Sequence, residues 1–301
     1  MIVPGIQELI GIAMGIVLAL GCSFGFTGAL CWLIPRLNRM SSTVTPIRSG
    51  SSIPRLGGIA VALAIVTAAI MSPQLTQYFF GQAPTGTDYL VTVLSGFCLI
   101  FIGAIIDDTR GLSPVMKFAF QGAGAGVAIW LGLRIEEVSF FGGETYHLGL
   151  LAIPLTYLWI MGMTNAYNLL DGLDGLASGL GAIAAGTCMV LFAMHGDFQD
   201  AAMLAILAGA LVGFLPYNFN PARIYLGDAG SQLIGYLLAV TAIKGTEQEV
   251  TALAVVIPLL IFGLPILDTM ISMIRRFSKG LQGNESISLL GRYRLAARLM
   301  F

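Results

Sequence analysis

The chain has 301 residues, of which 56% are hydrophobic and only 10% are charged, and its formal net charge is −1. Soluble domains carry about 25% charged residues, so this composition excludes an ordinary soluble protein, and the balanced charge gives no indication of a nucleic-acid partner. The apolar runs have the length of membrane-spanning helices, which excludes an outer-membrane barrel of roughly ten-residue alternating segments.

Nine apolar runs are candidate membrane spans. They lie near residues 6–34, 57–72, 89–106, 115–133, 150–167, 175–194, 201–216, 230–243 and 250–274. The sequence therefore predicts an all-α integral membrane protein, a polytopic helical bundle of about 9–10 spans. It is expected to form a single membrane domain over residues 1–301.

Basic residues indicate the orientation, because Lys and Arg concentrate in cytoplasmic segments. With the N-terminus outside, only Arg134 and Lys244 of the 15 Lys and Arg residues face outward. The predicted cytoplasmic loops are 35–56, 107–117, 165–175, 217–231 and 275–301. On the opposite side, the segment Ile135–Leu148 places strand-forming residues around Gly142-Gly143 and predicts a short β-hairpin on the outer face.

The first acidic loop begins with the adjacent pair Asp107 and Asp108, at the end of the third predicted span. Carboxylates at the edge of a membrane core are costly to place and are functional candidates. The pair could bind a metal or act as a general base, and the structural alternative is a solvated helix cap. Lys117, which starts the next span, could meet a phosphate or extend its ammonium group to the interface.

The second loop carries a polar residue at every third position, namely Asn165, Asn168, Asp171 and Asp174. At helical spacing such side chains share one face. Their oxygens are the ligands that hard cations such as Mg²⁺ take, usually together with substrate phosphates. The alternative is a polar network between helices.

The third loop contains Gly227-Asp228, directly before the eighth predicted span. Asp228 alone would be read as a helix N-cap. Because three loops bring acids to the same predicted membrane face, metal ligation is the preferred interpretation. In the first cytoplasmic loop, Arg55 precedes Gly57-Gly58 and is a candidate to bind an anionic phosphate, although the orientation rule alone also explains it.

The motifs of these loops occur together in one known family. They are Pro54-Arg55-Leu-Gly-Gly, the acid pair followed by Lys117, Asn165-Ala-Tyr-Asn168-Leu-Leu-Asp171-Gly-Leu-Asp174-Gly, and Gly227-Asp228-Ala-Gly-Ser. In this order, from Pro54 to Arg276, the sequence resembles the polyprenyl-phosphate N-acetylhexosamine-1-phosphate transferases of glycosyltransferase family 4. It looks most similar to their undecaprenyl-phosphate N-acetylglucosamine-1-phosphate transferase branch.

The resemblance implies a phosphoglycosyltransferase that requires Mg²⁺, with Mn²⁺ as the alternative metal. Undecaprenyl phosphate would attack the β-phosphorus of a UDP-N-acetylhexosamine, giving undecaprenyl-pyrophosphoryl-sugar and UMP. The expected location is the bacterial inner (plasma) membrane, with the active site facing the cytoplasm. There the reaction would initiate a cell-envelope glycan such as the O-antigen of lipopolysaccharide. Homodimerisation is also expected.

Residue roles follow from the same resemblance, position by position. Metal binding is expected of Asp228 and Asn168. Catalysis is expected of Asp107, Asp108 and Lys117, the acid pair activating or positioning the lipid phosphate. The residues expected to line the nucleotide-sugar pocket are Asp171, Asp174, Asn218, Tyr225 and Asn165.

The C-terminal segment departs from the bacterial family pattern. The histidine-rich motif expected after the ninth span is not found, and Arg292 and Arg294 are expected to replace it as a pyrophosphate clamp. Eukaryotic relatives carry a similar Arg-x-Arg. The alternatives are a basic inner tail or a truncated, catalytically impaired family member.

Two other classes of membrane protein also use buried acids. A prenyltransferase that cleaves a prenyl pyrophosphate has Asp-rich, Mg²⁺-binding loops, but Asp171 and Asp174 lack a matching second Asp-x-x-x-Asp motif. A transporter has intramembrane carboxylates near the bilayer midplane, whereas these acids gather at one predicted face.

Overall fold

The computed structural model describes residues 4–40, 53–72, 89–139 and 145–246. All of these residues belong to one compact unit. The predicted ninth span, 250–274, and the predicted cytoplasmic segment 275–301 lie outside the described residues. The single domain over the whole chain therefore stays a prediction.

The described residues form eight α-helices, one for each of the first eight predicted spans. They are α1 Pro4–Met40, α2 Gly57–Met71, α3 Tyr89–Arg110, α4 Pro114–Trp130, α5 Ala152–Leu170, α6 Leu176–Met194, α7 Phe198–Asn218 and α8 Gly227–Thr246. A short 3₁₀ turn, Gly149–Leu151, precedes α5. The prediction of an all-α polytopic membrane protein is confirmed.

Five helical segments in the described part of the chain are long and apolar enough to cross a membrane. They are Ile6–Ile34, Thr92–Arg110, Gly149–Leu170, Leu176–Met194 and Phe198–Asn218. Gly57–Met71 is a shorter apolar helix. The orientation of the bundle, with its N-terminus outside, stays a prediction.

The predicted hairpin between α4 and α5 is present. β1, Glu137–Ser139, pairs antiparallel with β2, Thr145–His147, with Val138 opposite Tyr146. One further hydrogen bond, from Leu148 N to Glu136 O, extends the pairing. The hairpin lies at the end of α4 that is remote from Lys117.

Helix α8 is the central element of the bundle, and its described side chains from Ala229 to Ile243 are buried all around. Its neighbours include α2, α3, α5 and α7. Two hydrogen bonds fix the position of α8 along its axis. Trp159 Nε1 of α5 donates to Ala239 O, and Tyr236 Oη donates to Val93 O of α3.

Glycines allow the helices around α8 to approach closely, as is common between membrane helices. A Cβ at Gly58 of α2 would lie 2.1 Å from Gly230 N of α8. On another side of α8, a Cβ at Gly235 would lie 2.6 Å from Met163 O of α5. The backbone of α8 is thus held against two neighbours at a spacing that leaves no room for a methyl group.

Replacing Gly58 by Ala should force α2 away from α8. We expect Gly58→Ala to lower the stability by about 1–3 kcal/mol, as overpacking does in dense interiors. Thermal unfolding of the detergent-solubilised protein measures the change. Gly126→Ala is the matched control, because a Cβ at Gly126 of α4 would meet nothing within 4 Å. Equal stability of both variants would contradict the close α2–α8 contact.

Candidate active site

The start of α8 is built against the segment that precedes α2. Tyr225 N donates to Pro54 O at 2.9 Å, Gly57 N to Tyr225 O at 3.0 Å and Gly58 N to Leu226 O at 2.7 Å. This ladder explains why the predicted Pro-Arg-Leu-Gly-Gly motif belongs to the site. It holds the Arg55 backbone beside Gly227, the first residue of α8.

Position 227 requires a glycine for two reasons. Its φ of +75° lies in the left-handed region, which side chains with a Cβ rarely adopt. A Cβ would also lie 2.8 Å from Asp108 Oδ2 and 2.9 Å from Arg55 O. The Gly-Asp motif therefore brings the chain close enough for a carboxylate from another helix to reach the first turn of α8.

Asp108 supplies that carboxylate from the last turns of α3. Its Oδ1 accepts from Asp228 N and its Oδ2 from Ala229 N, both at 2.9 Å. Asp171, which follows α5, lies near the same helix end, where the Gly227 backbone favours its ionised form. Asp108 thus accepts two of the first amides of α8, groups that a helix cannot satisfy internally.

Asp107 and Asp228 share one cation, Lys117 of α4. Lys117 Nζ lies 2.7 Å from Asp228 Oδ2 and also forms an ion pair with Asp107 Oδ2. The second oxygen of Asp107, Oδ1, accepts from Leu112 N at 2.5 Å in the α3–α4 turn. Ser113 N-caps α4 by accepting from Met116 N, which starts the helix where Lys117 can reach both acids.

Asp171 lies beside these groups and is largely buried. Burial, followed by the nearby Asp228 and Asp108 carboxylates, raises the pKa of Asp171 to about 8. The Gly227 backbone and the Arg55 guanidinium lower the pKa of Asp171. We refer to the four acids, Asp107, Asp108, Asp171 and Asp228, as the carboxylate cluster.

Asn168 joins the cluster through α8. Its Oδ1 accepts from Ser231 Oγ at 3.3 Å, and the same hydroxyl lies 3.3 Å from Asp228 O. Asn165 lies one turn earlier on α5 and has different neighbours. Its Nδ2 donates to Gln121 Oε1 of α4 and to Met161 O, each at 2.8 Å. Asn165 therefore connects α5 to α4.

The shared helical face predicted for the second loop is wrong for its two acids. Helix α5 ends at Leu170, and residues 171–175 form a turn in which Gly175 has a φ of +75°. Asp171 then points to the cluster. Asp174 instead accepts from Asn220 Nδ2 and Ala222 N, both at 3.1 Å, and holds the loop that follows α7.

Asn218, predicted to line the nucleotide pocket, is buried at 2% exposure. Its Oδ1 accepts from Ser178 Oγ at 2.7 Å, and its Nδ2 donates to Ile224 O at 3.1 Å. These bonds join α6, the end of α7 and the loop before α8. Tyr225 has a half-buried side chain and a backbone that pairs with the Pro54–Gly57 segment.

The structure thus brings together Arg55, Asp107, Asp108, Lys117, Asn168, Asp171 and Asp228. Arg292 and Arg294 lie outside the described residues. Sequence reasoning did not single out Gln121, Ser178 or Ser231. Two of them had a usable signal, because Gln121 follows Lys117 by four residues and Ser231 follows Asp228 by three, which places each on the same helix face.

No three His, Cys, Asp or Glu side chains within residues 4–40, 53–72, 89–139 and 145–246 form a ready metal cage. The donors that are present still fit Mg²⁺. This ion often takes only one or two protein carboxylates and completes its shell with water and substrate phosphates. Asp228 and Asn168 offer such hard oxygen donors, and the cluster carries more acids than its basic partners Lys117 and Arg55 offset.

We expect Asn218→Ala to destabilise the protein by about 1–3 kcal/mol, because it removes the side-chain donor of the buried Ile224 carbonyl and leaves the Ser178 hydroxyl with its longer bond, 3.3 Å to Gly175 O. Thermal unfolding in detergent measures this loss. The control Asn220→Ala removes only one hydrogen bond at an exposed residue and should have a smaller effect. If Asn218→Ala kept native stability and instead lost affinity for a UDP-sugar, the structural role would be contradicted.

The chain has relatives among known proteins. The family model described as "Glycosyl transferase family 4" matches residues 89–246. The chain is 38% identical over 227 residues to the probable undecaprenyl-phosphate N-acetylglucosaminyl 1-phosphate transferase of Bacillus subtilis (strain 168), covering 74% of this chain and 60% of that protein.

Two further relatives come from other bacteria. The decaprenyl-phosphate N-acetylglucosaminephosphotransferase of Mycobacterium tuberculosis (strain ATCC 25618 / H37Rv) is 35% identical, over 75% of this chain and 61% of its own length. The phospho-N-acetylmuramoyl-pentapeptide-transferase of Staphylococcus haemolyticus (strain JCSC1435) is 31% identical, over 74% of each chain. The chain spans about three fifths of the length of the first two relatives. The extent of these matches shows that the chain belongs to glycosyl transferase family 4.

Proposed function

We propose that this protein transfers an N-acetylhexosamine 1-phosphate from a UDP-sugar to a polyprenyl phosphate, expected to be undecaprenyl phosphate. The observation that carries the proposal is Lys117, which joins Asp107 and Asp228 at the start of a buried helix. The names of the relatives support the same reaction class, since they describe polyprenyl-phosphate sugar-phosphate transferases.

In the proposed reaction, an oxygen of the polyprenyl phosphate forms a bond to the β-phosphorus of the UDP-sugar. The bond from that phosphorus to the oxygen bridging the two phosphates breaks, and UMP leaves with the electron pair. Both reactants are anionic, so positive charge near the transferring group stabilises the transition state. Lys117 would supply it, and Arg55, just before α2, is a second cation for a phosphate.

We propose Mg²⁺, with Mn²⁺ as the alternative, as the cofactor. Asp228 and Asn168 would hold it through their oxygens, next to Lys117. The bound ion would neutralise charge on the phosphates. The four acids of the cluster outnumber Lys117 and Arg55, which supports a further cation here, because a positive charge would stabilise the ionised carboxylates.

The setting of the proposed reaction follows from the predicted orientation. The cluster would face the cytoplasm of a bacterial plasma membrane, where a UDP-sugar is supplied, and the carrier chain would lie in the bilayer beside it. The product would initiate a cell-envelope glycan such as O-antigen. The donor is proposed to be UDP-N-acetylglucosamine; the 31% match to a muramoyl-pentapeptide transferase makes UDP-N-acetylmuramoyl-pentapeptide the second candidate.

The purified protein should release UMP from UDP-N-acetylglucosamine when undecaprenyl phosphate and Mg²⁺ are present. Removing the metal with EDTA should abolish release, and added Mg²⁺ or Mn²⁺ should restore it. A parallel reaction with UDP-N-acetylmuramoyl-pentapeptide decides between the donors. Absence of UMP with every UDP-N-acetylhexosamine tested would overturn the proposal, and prenyl transfer from a prenyl pyrophosphate would replace it by the prenyltransferase alternative.

Asp228→Ala should lower UMP release by about 100-fold or more, the scale seen when a preorganised electrostatic group is removed from a reaction centre. Glu137→Gln is the control, because Glu137 lies in the hairpin and contacts His147 there. It should retain native turnover. Full activity of Asp228→Ala would refute the assignment of Asp228 as metal ligand.

A further inference from the structure

The two acids of the Asp107-Asp108 pair have different partners. Asp107 contacts the Lys117 ammonium group and a turn amide, whereas Asp108 accepts from two backbone amides of α8. We propose that Asp108 is a positioning residue: it holds the first turn of α8 so that Asp228 faces Lys117. This inference rests on the proposed function.

The contacts of Asp108 occupy both of its oxygens. Each receives one amide at 2.9 Å, and the two donors, Asp228 N and Ala229 N, are consecutive in the chain. Two consecutive amides at the start of a helix are the groups that a capping carboxylate binds. The geometry is therefore that of a cap supplied by another helix.

The start of α8 needs such a partner because the helix is buried. The first N–H groups of a helix have no acceptor within it, and their partial positive charge favours a carboxylate. The amides of Asp228 and Ala229, the second and third residues of α8, are directed to Asp108. The cap comes from a residue 120 positions earlier in the chain, so it also fixes the end of α3 against the start of α8.

Asp108 acts on the reaction centre through Asp228. The backbone of Asp228 donates to Asp108, while its Oδ2 lies 2.7 Å from Lys117 Nζ. Loss of the cap would free the first turn of α8 and move the Asp228 carboxylate away from Lys117. The two acids of the motif therefore have different roles, although their sequence positions are adjacent.

Two substitutions separate positioning from proton transfer. Asn can cap a helix with its amide oxygen but cannot serve as a base, and Ala can do neither. We expect Asp108→Ala to lower UMP release by at least 100-fold and Asp108→Asn to retain at least ten-fold more activity than Asp108→Ala. Equal inactivity of both variants, with native protection of the α8 amides, would overturn the inference.

Amide hydrogen exchange of the peptide that covers residues 227–232 gives a readout that does not require activity. We expect exchange there to be at least ten-fold faster in Asp108→Ala and intermediate in Asp108→Asn. The matched control is Asp197→Ala, which removes the N-cap of α7 by deleting the acceptor of Asp200 N. It should leave residues 227–232 protected.

The exchange measurement also separates this inference from the proposed function. If the native protein released no UMP while Asp108→Ala still exposed residues 227–232, the proposed reaction would fail and the positioning role would stand. If Asp108→Ala left both the exchange and the activity unchanged, the positioning role would be refuted.

Discussion

The buried start of α8 is the constraint on which the rest of the site depends. Helix N-termini leave amides unsatisfied, and burial removes water as their partner. The Asp108 carboxylate at the end of α3 takes that place for two amides, and Asp171, which follows α5, lies close to the same turn. Because each acid belongs to a different helix, satisfying one helix end brings distant segments of the chain to a common point, with Arg55 held there by the ladder to Tyr225.

That arrangement concentrates negative charge at one end of a membrane bundle. Four acids form the cluster, and Lys117 and Arg55 are the cations that act on it within the part of the chain that is described. Charged groups withdrawn from water are stable only when they are paired and hydrogen-bonded. Asp107 and Asp108 accept from backbone amides, and Lys117 pairs with Asp107 and Asp228. The four acids still outnumber the two cations, which suits a centre that receives a metal ion and phosphates.

Helical bundles around one buried helix also need a scaffold that holds the loops in place. Asp174 and Asn218 provide it, since the first anchors the loop after α7 and the second joins that loop to α6. Asn165 connects α5 to α4. The polar motif of the second loop therefore combines residues that face the cluster with residues that fix the backbone around it.

The sequence by itself determined the membrane class, the positions of eight helices, the hairpin and the set of acidic loops, because hydrophobic run length and turn chemistry are local properties. It also carried the family, through motifs that occur in a fixed order. Tertiary structure alone decided which acid meets which partner. Periodicity extended a helical face to Asp174 although α5 ends at Leu170, and adjacency made Asp107 and Asp108 look equivalent. The role proposed for Asp108 depends on amides 120 and 121 residues away, and contacts over that distance are set by packing around α8.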